Sequence, residues 1–327
     1  MVRNYDVITV GGVTMDAFMK LHDTHDKYHF DEKTGELCFR HGEKINVERY
    51  DFCMGGDAAN VAVGLSRLGL KATLCAETGD DEFSIKIRNA LARENIERLL
   101  VIQKPGRSNF SVIINYKGDR TIFSEHVDRE NDFQFADVAT KYIYLTSLSG
   151  SWEKAYKKTL DFAKSQNAKI AFNPGGSQFS AGKEKLQEFF ENTDILFLNK
   201  EEAEKIIFNH IAEKDNDKDE YVHKLAVELQ KFGSKIVVIT NGQDGSYTLD
   251  EDGKFHFLEM FPGKPIERTG AGDAFAAGFL AASFYDLPIK DRMLWGSANA
   301  ASAVGQIGAE PGLLTKDQIE EKIKSRI

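Results

Sequence analysis

The sequence predicts an α/β fold: a doubly wound, mainly parallel sheet in a three-layer α/β/α sandwich, carrying a small β-sheet lid. Three observations lead there. Short β-rich runs recur between helix-length amphipathic segments, several of those runs are continuously apolar, and two stretches break the alternation. Strand–helix alternation builds parallel sheets from βαβ units. Continuous apolar runs suit strands covered on both faces.

The strands read at 7–10, 72–75, 142–145, 170–172, 195–198 and 236–239. Helical patterns lie at 58–68, 82–95, 152–166, 201–208, 221–232, 274–285, 289–304 and 316–323. Ligands of such a sheet sit beyond the carboxyl ends of its strands. The first interruption, 17–52, is polar and turn-rich, with strands expected near 37–39 and 45–52. The second, 108–126, has alternating runs at 110–116 and 120–125 around Lys117-Gly118-Asp119, a hairpin signal. Together they are expected to form the lid (17–52 and 108–126) over a core of 1–16, 53–107 and 127–327. The charged stretch 210–220 reads as a solvated loop.

A chain of 327 residues with 42% hydrophobic and 28% charged side chains has the makings of a sizeable globular core. Its net charge of -9 argues against a general nucleic-acid binder, which needs clustered Lys and Arg. No apolar run approaches the length of a membrane span, and mean hydropathy is -0.38. The N-terminus lacks a signal-peptide layout, and Cys38, Cys53 and Cys75 show no CxxC spacing. A reducing cytoplasm is the expected setting.

The run Glu267-Arg268-Thr269-Gly270-Ala271-Gly272-Asp273, ahead of an apolar helix, carries the most chemistry. Its glycines allow a tight turn and close ligand approach. Unpaired N–H groups at the helix start, with the positive end of the helix dipole, make an anion site. Asp273 in the first turn stands beside it. An anion cradle next to one carboxylate is what phosphoryl transfer to a hydroxyl requires, although an acid there also has a purely stabilising use.

Other positions are suggestive in combination. Gly55-Gly56-Asp57-Ala58-Ala59-Asn60 opens an amphipathic helix, and Asn60 offers both donor and acceptor. Asp16, just past the first strand, suits two vicinal hydroxyls or a plain turn. Asn199 and Glu202 are placed either to order water around Mg²⁺ or to form a capping box. Thr240 and Gly242 follow a strand and either line a nucleotide or make a turn. His22, His25 and His29, with Asp23 and Asp26, read as a histidine-rich lid loop rather than a metal site. No G-x-x-x-x-G-K-[ST], G-x-G-x-x-G or H-E-x-x-H motif occurs.

Taken together, these residues resemble the ribokinase-like (PfkB) carbohydrate kinase family. The segment 55–69 is similar to its N-terminal glycine signature, 268–280 to its C-terminal signature, and Asn199 with Glu202 to its Asn-x-x-Glu element. The resemblance implies ATP-dependent phosphorylation of a hydroxymethyl group. It implies Asp273 as base, Gly270, Ala271 and Gly272 as anion hole, and Asn199 and Glu202 around Mg²⁺. It also implies nucleotide contacts from Asn199, Thr240, Gly242 and Asn299, and acceptor contacts from Asp16, Gly56, Asp57 and Asn60. Family members often bind a monovalent cation such as K⁺ beside the turn, and a homodimer through the lid strands fits an exposed sheet edge.

Four departures stand out. Glu267-Arg268 replaces Asp-Thr, Asp57 replaces the Lys of ribokinase itself, and Asn173-Pro174-Gly175-Gly176 replaces an Asp-Pro-Asn-type loop. Thr146-Ser147-Leu148-Ser149 offers no acidic sugar ligand. Because Asp57 would repel an acidic acceptor, a neutral free sugar such as ribose or fructose is expected first. A nucleoside is the alternative, with Phe18, Phe39, Phe110 and Phe123 to stack on its base. A non-catalytic ligand sensor on the same fold is the rival of a different class.

Overall fold

The structure, a computed structural model, describes residues 2–207, 218–263 and 266–325. The expected loop at 210–220 lies outside them, apart from its last three residues, which begin a helix. The elements start with β1 (Arg3–Val10), β2 (Thr14–Lys20), β3 (Tyr28–Asp31), β4 (Glu36–Phe39), β5 (Arg49–Gly55), α1 (Asp57–Arg67), β6 (Ala72–Thr78) and α2 (Glu82–Arg93). Next come β7 (Val101–Gln103), β8 (Asn109–Tyr116), β9 (Asp119–Glu125), β10 (Val138–Thr146), α3 (Trp152–Gln166), β11 (Lys169–Asn173), α4 (Gly176–Ser180) and α5 (Lys183–Glu191). The chain continues through β12 (Ile195–Asn199), α6 (Lys200–Ile207), α7 (Lys218–Gln230), β13 (Ile236–Thr240), β14 (Ser246–Leu249) and β15 (Phe255–Leu258). It closes with α8 (Ala271–Phe284), α9 (Ile289–Ala303) and α10 (Lys316–Lys324).

Nine strands form the main sheet in the order β15-β14-β13-β12-β11-β10-β1-β6-β7. It is parallel from β7 to β13, and β14 and β15 extend it antiparallel. Alternate side chains serve two cores. Ile8, Ile143, Phe172, Leu196 and Val237 pack under α3, α5, α6 and α7, whereas Val7, Tyr144, Ala171, Phe197 and Val238 pack under α1, α8, α9 and α10. Helices on both faces explain the continuous apolar runs. The chain leaves β1 for β6 on one side and returns to β10 on the other. This reversal creates the crevice where doubly wound sheets bind ligands.

A second sheet, β5-β2-β8-β9, forms the lid, and β3 pairs with β4 beside it. The β8–β9 hairpin turns through Lys117 (φ 51°) and Gly118 (φ 83°), the left-handed pair that a two-residue hairpin needs. Asp16 does not lie in a loop past the first strand; it sits within β2, opposite Cys53 and Ser111. His25 stacks on Tyr28 with ring centroids 4.9 Å apart. No cluster of metal-ligating side chains occurs among the described residues, and no helix there is long and apolar enough to cross a membrane.

Candidate active site

Helix α8 begins after Gly270, whose φ of 76° is left-handed. An added Cβ there would lie 2.4 Å from the Ala309 Cβ, so both backbone and packing demand glycine. The Ala271 N–H turns back to the Arg268 carbonyl at 3.3 Å, and the Ala274 N–H makes the first helical bond to Gly270 at 2.8 Å. The N–H groups of Gly272 and Asp273 are therefore the first-turn donors that the turn and helix leave over. With the Gly270 N–H, which donates to no backbone acceptor among the described residues either, they are the amides that the expected anion hole would use. An added Cβ at Gly272 would meet nothing within 4 Å.

Asp273 is buried, and its Oδ2 accepts a 2.8 Å hydrogen bond from Asn60 Nδ2. Burial, then the neighbouring Asp57 carboxylate, hold its carboxyl well above the usual range; Asn60 pulls the other way and Glu202 adds a smaller upward push. A buried carboxyl with a raised pKa is suited to general-base work near neutrality. Asn60 thus holds this carboxyl and lines neither of the two cavities beside it.

Two cavities flank this carboxyl. One, of ≈ 210 Å³, is lined by Thr240 and Gly242 after β13, by Arg268, Ala271, Gly272 and Phe275 at the start of α8, and by Ala300 and Ala301 of α9. Its lining is mostly apolar, as small-molecule sites commonly are. Asn299 is not part of it. That side chain is fully buried, donating to the Ala274 carbonyl at 2.8 Å and accepting from the Leu314 N–H at 2.9 Å, so it clamps α8, α9 and the following loop. Its side chain is committed to these partners rather than to the nucleotide contact implied for it.

The other cavity, of ≈ 90 Å³, opens at the β1/β10 reversal. Gly11 and Gly12 follow β1, Ser147 follows β10, and Gly56 and Asp57 open α1. Gly56 has φ 95°, and a Cβ there would press to 2.6 Å from the Gly12 carbonyl oxygen. Burial raises the Asp57 carboxyl, while Thr146 and His126 oppose the rise. Glu77, Asn109, His126, Arg129 and Asn131 also line it. Sequence reasoning missed these five. The signal available was the polar run 126–131 where the chain leaves the lid.

Asp16 is buried on the inner face of the lid sheet, outside both cavity walls, with Oδ1 lacking a partner. Burial pushes its carboxyl to about 6, eased by Thr14 and Ser111 and raised further by Asp57 and Glu267. Asn199 and Glu202 form a reciprocal cap: the Asn199 N–H donates to Glu202 Oε2 at 2.9 Å, and the Glu202 N–H donates to Asn199 Oδ1 at 2.8 Å. The capping-box alternative is therefore real. Burial nonetheless raises the Glu202 carboxyl, and the charge of Asp57 reaches it. Its Oε1 is not used by the cap.

The chain matches the family described as pfkB family carbohydrate kinase over residues 24–316. It is 26% identical to a 5-dehydro-2-deoxygluconokinase of Clostridium perfringens, with 98% of this chain and 94% of that protein covered. It is also 26% identical to a ribokinase of Haemophilus influenzae, with 86% and 90% covered. A solved Arabidopsis thaliana ribokinase complexed with ribose and ATP shares the fold, with a TM-score of 0.76 at 17% identity, covering 98% of this chain and 99% of that one. The family match includes both signatures and covers most of the chain, and the chain belongs to the pfkB family of carbohydrate kinases.

Proposed function

We propose that the protein transfers the γ-phosphoryl group of ATP to a hydroxymethyl group of a small sugar, with Asp273 as the base. One observation carries this reading. Asp273 lies in the first turn of the helix that walls one cavity, the nucleotide cleft of this reading, and Asn60 ties it to the helix whose first residue walls the other, its acceptor cavity. The acceptor oxygen attacks phosphorus as its proton passes to Asp273, and the bond to the departing ADP breaks on the opposite side. The N–H groups of Gly272 and Asp273 donate to the transferring phosphoryl oxygens. Thr240, Gly242 and Arg268 hold the nucleotide, and Gly56 and Asp57 hold the acceptor's hydroxyls.

Mg²⁺ bound to ATP neutralises phosphate charge, and the residues present fit it. Magnesium keeps most of its water and takes one or two carboxylates, and Glu202 Oε1 is left over by the cap. Glu202→Gln preserves the cap's acceptor oxygen, so its melting temperature should match the wild type while the Mg²⁺ concentration for half-maximal rate rises several-fold. A lowered melting temperature with an unchanged Mg²⁺ requirement would assign Glu202 to the cap alone. A monovalent cation such as K⁺ is proposed beside the same turn, with no side chain assigned to it.

The acceptor proposed first is a neutral free sugar such as ribose or fructose, since Asp57 and Glu77 bring negative charge to the cavity. One observation favours a second class, a sugar acid. Arg129 lines the same wall with its Nε buried and unpartnered, a donor suited to a carboxylate. Rates measured against free sugars, hexonates and sugar phosphates separate the two. Preference for hexonates, with their KM raised about 10-fold or more in Arg129→Gln, supports the acid; indifference to Arg129→Gln supports the neutral sugar. A preference for sugar phosphates contradicts both. The nucleoside alternative loses its stacking groups. Phe18 is 2% exposed, Phe110 stacks on Phe83, and Phe39 and Phe123 line a separate cavity on the lid.

The outer lid face bears Tyr50, Phe52 and Phe123, exposed by 66%, 49% and 57%. This apolar patch supports a homodimer through the lid. Gel filtration should give a dimer that Phe123→Glu converts to a monomer; a wild-type monomer at every concentration contradicts it. A cytoplasmic setting, where ATP is available, accords with three free cysteines.

A further inference from the structure

The inner face of the lid sheet is polar where the outer face is apolar. Ladder register places Asp16 opposite Ser111, Ser111 opposite Ser124, and Asn115 opposite Arg120, so these side chains share one face. That face looks onto the turn ahead of α8. The carboxyl of Asp16 feels the charge of Glu267, and a Cβ on Gly118 would stand 4.0 Å from the Ile266 carbonyl oxygen.

Glu267 begins the turn. Its Oε1 accepts the Thr269 N–H at 2.8 Å and the Thr269 hydroxyl at 2.5 Å, which fixes the backbone immediately before Gly270. Burying a carboxylate to 1% exposure is costly without a counter-charge. Among the described residues, the only cation within ion-pair distance is Arg120 of β9, its Nε 3.7 Å from Glu267 Oε1. Two groups there lack hydrogen-bond partners: Arg120 Nε and Glu267 Oε2, both buried. A small approach of the hairpin to the turn would join them. The lid therefore carries the charge that the catalytic turn needs, across a gap shorter than a water layer.

We propose that Arg120 is a positioning residue that latches the lid hairpin to Glu267 and thereby aligns the Gly272 and Asp273 amides for phosphoryl transfer. The inference rests on the kinase reading for its effect on rate, but not for the latch itself. It places the coupling between acceptor capture and catalysis in one guanidinium–carboxylate pair. Arg120 lines neither cavity, so its loss should act on turnover more than on ATP binding.

The test combines Arg120→Ala, Arg120→Lys, Glu267→Gln and the Arg120→Ala/Glu267→Gln double variant, with melting temperature, steady-state kinetics at fixed KCl, and amide hydrogen exchange over 266–270. Arg120→Ala should lower kcat by about 10²-fold, the cost of a misplaced reacting group, with KM for ATP changed less than threefold. It should also speed exchange in the turn. Millimolar guanidinium should restore part of the rate, which a purely structural role would not allow. The double variant should be no slower than the slower single variant, because the two side chains act as one unit. Wild-type kcat in Arg120→Ala, unchanged exchange in the turn, or multiplicative losses in the double variant overturn the proposal. Absence of transfer by the wild type to every acceptor would overturn the kinase reading instead, and exchange alone would then decide the latch.

Discussion

Asp273→Asn is expected to lose about 10²–10⁴-fold in kcat, the contribution of a positioned general base, while folding at least as stably as the wild type near neutral pH. Asn keeps an acceptor oxygen for Asn60 Nδ2, which now donates 2.8 Å to Asp273, but it takes no proton from an alcohol. The stability sign follows from the raised carboxyl. A carboxyl whose folded pKa lies above its unfolded value favours the fold below the ordinary carboxyl range and loses that contribution as pH rises through the folded pKa. Asn has no such loss, so the variant gains on the wild type as pH increases. The same shift places the acidic limb of kcat/KM for the wild type above the usual carboxylate range. Thermal melts with single-turnover kinetics check both halves; an unfolded variant, or one with near-normal rate, assigns Asp273 to the scaffold.

Gly272→Ala and Gly270→Ala should separate by opposite signs in stability, although they sit two residues apart. At Gly270 the left-handed φ of 76° and the 2.4 Å approach to Ala309 Cβ leave no room for a methyl group. The cost is roughly 2–5 kcal/mol, joining about 1–2 for the left-handed residue and about 1–3 for overpacking. Gly270→Ala should thus melt markedly lower and lose activity with the turn. At Gly272 the backbone is ordinary and helical and the added Cβ meets nothing. Alanine there should be neutral or stabilising by up to about 1 kcal/mol. Its methyl group would project beside its own first-turn amide and into the cavity that Gly272 lines, proposed above for the nucleotide. We expect KM for ATP to rise and kcat to fall by about 10-fold or more, as when one anion-hole donor is obstructed. Equal melting temperatures for the two variants, or normal kinetics in Gly272→Ala, would contradict the division between a glycine kept for the turn and one kept for the ligand.

How much of this was legible in the sequence depended on which force shaped each segment. The parallel strands were legible because two cores bury both their faces: Ile8 and Val7 serve opposite clusters, so the run cannot alternate. Strand β2 was not legible, because the face that carries Asp16 and Lys20 also carries Phe18, so its pattern is mixed and reads as a loop. The turn before α8 was legible in chemistry, since glycine twice before an acid at a helix start has few uses. The Asn199–Glu202 spacing supported two readings with the same residues, and only coordinates showed the cap. Arg129 was invisible because its cavity is assembled from segments around Gly11, Asp57, Glu77, Asn109 and Ser147, far apart along the chain. Asn299 shows the reverse failure. Only the resemblance implied a nucleotide contact for it, and its side chain turns inward to Ala274 and Leu314.

Phosphorus NMR of the wild type and Asp273→Asn, each mixed with ATP, Mg²⁺ and the preferred acceptor, tests the central assignment most directly. The account predicts that the wild type forms ADP and a phosphate monoester coupled to a CH₂ group in equal amounts, and that Asp273→Asn, folded and still binding ATP, forms neither at a comparable rate. Monoester formed by the variant at near the wild-type rate would contradict it.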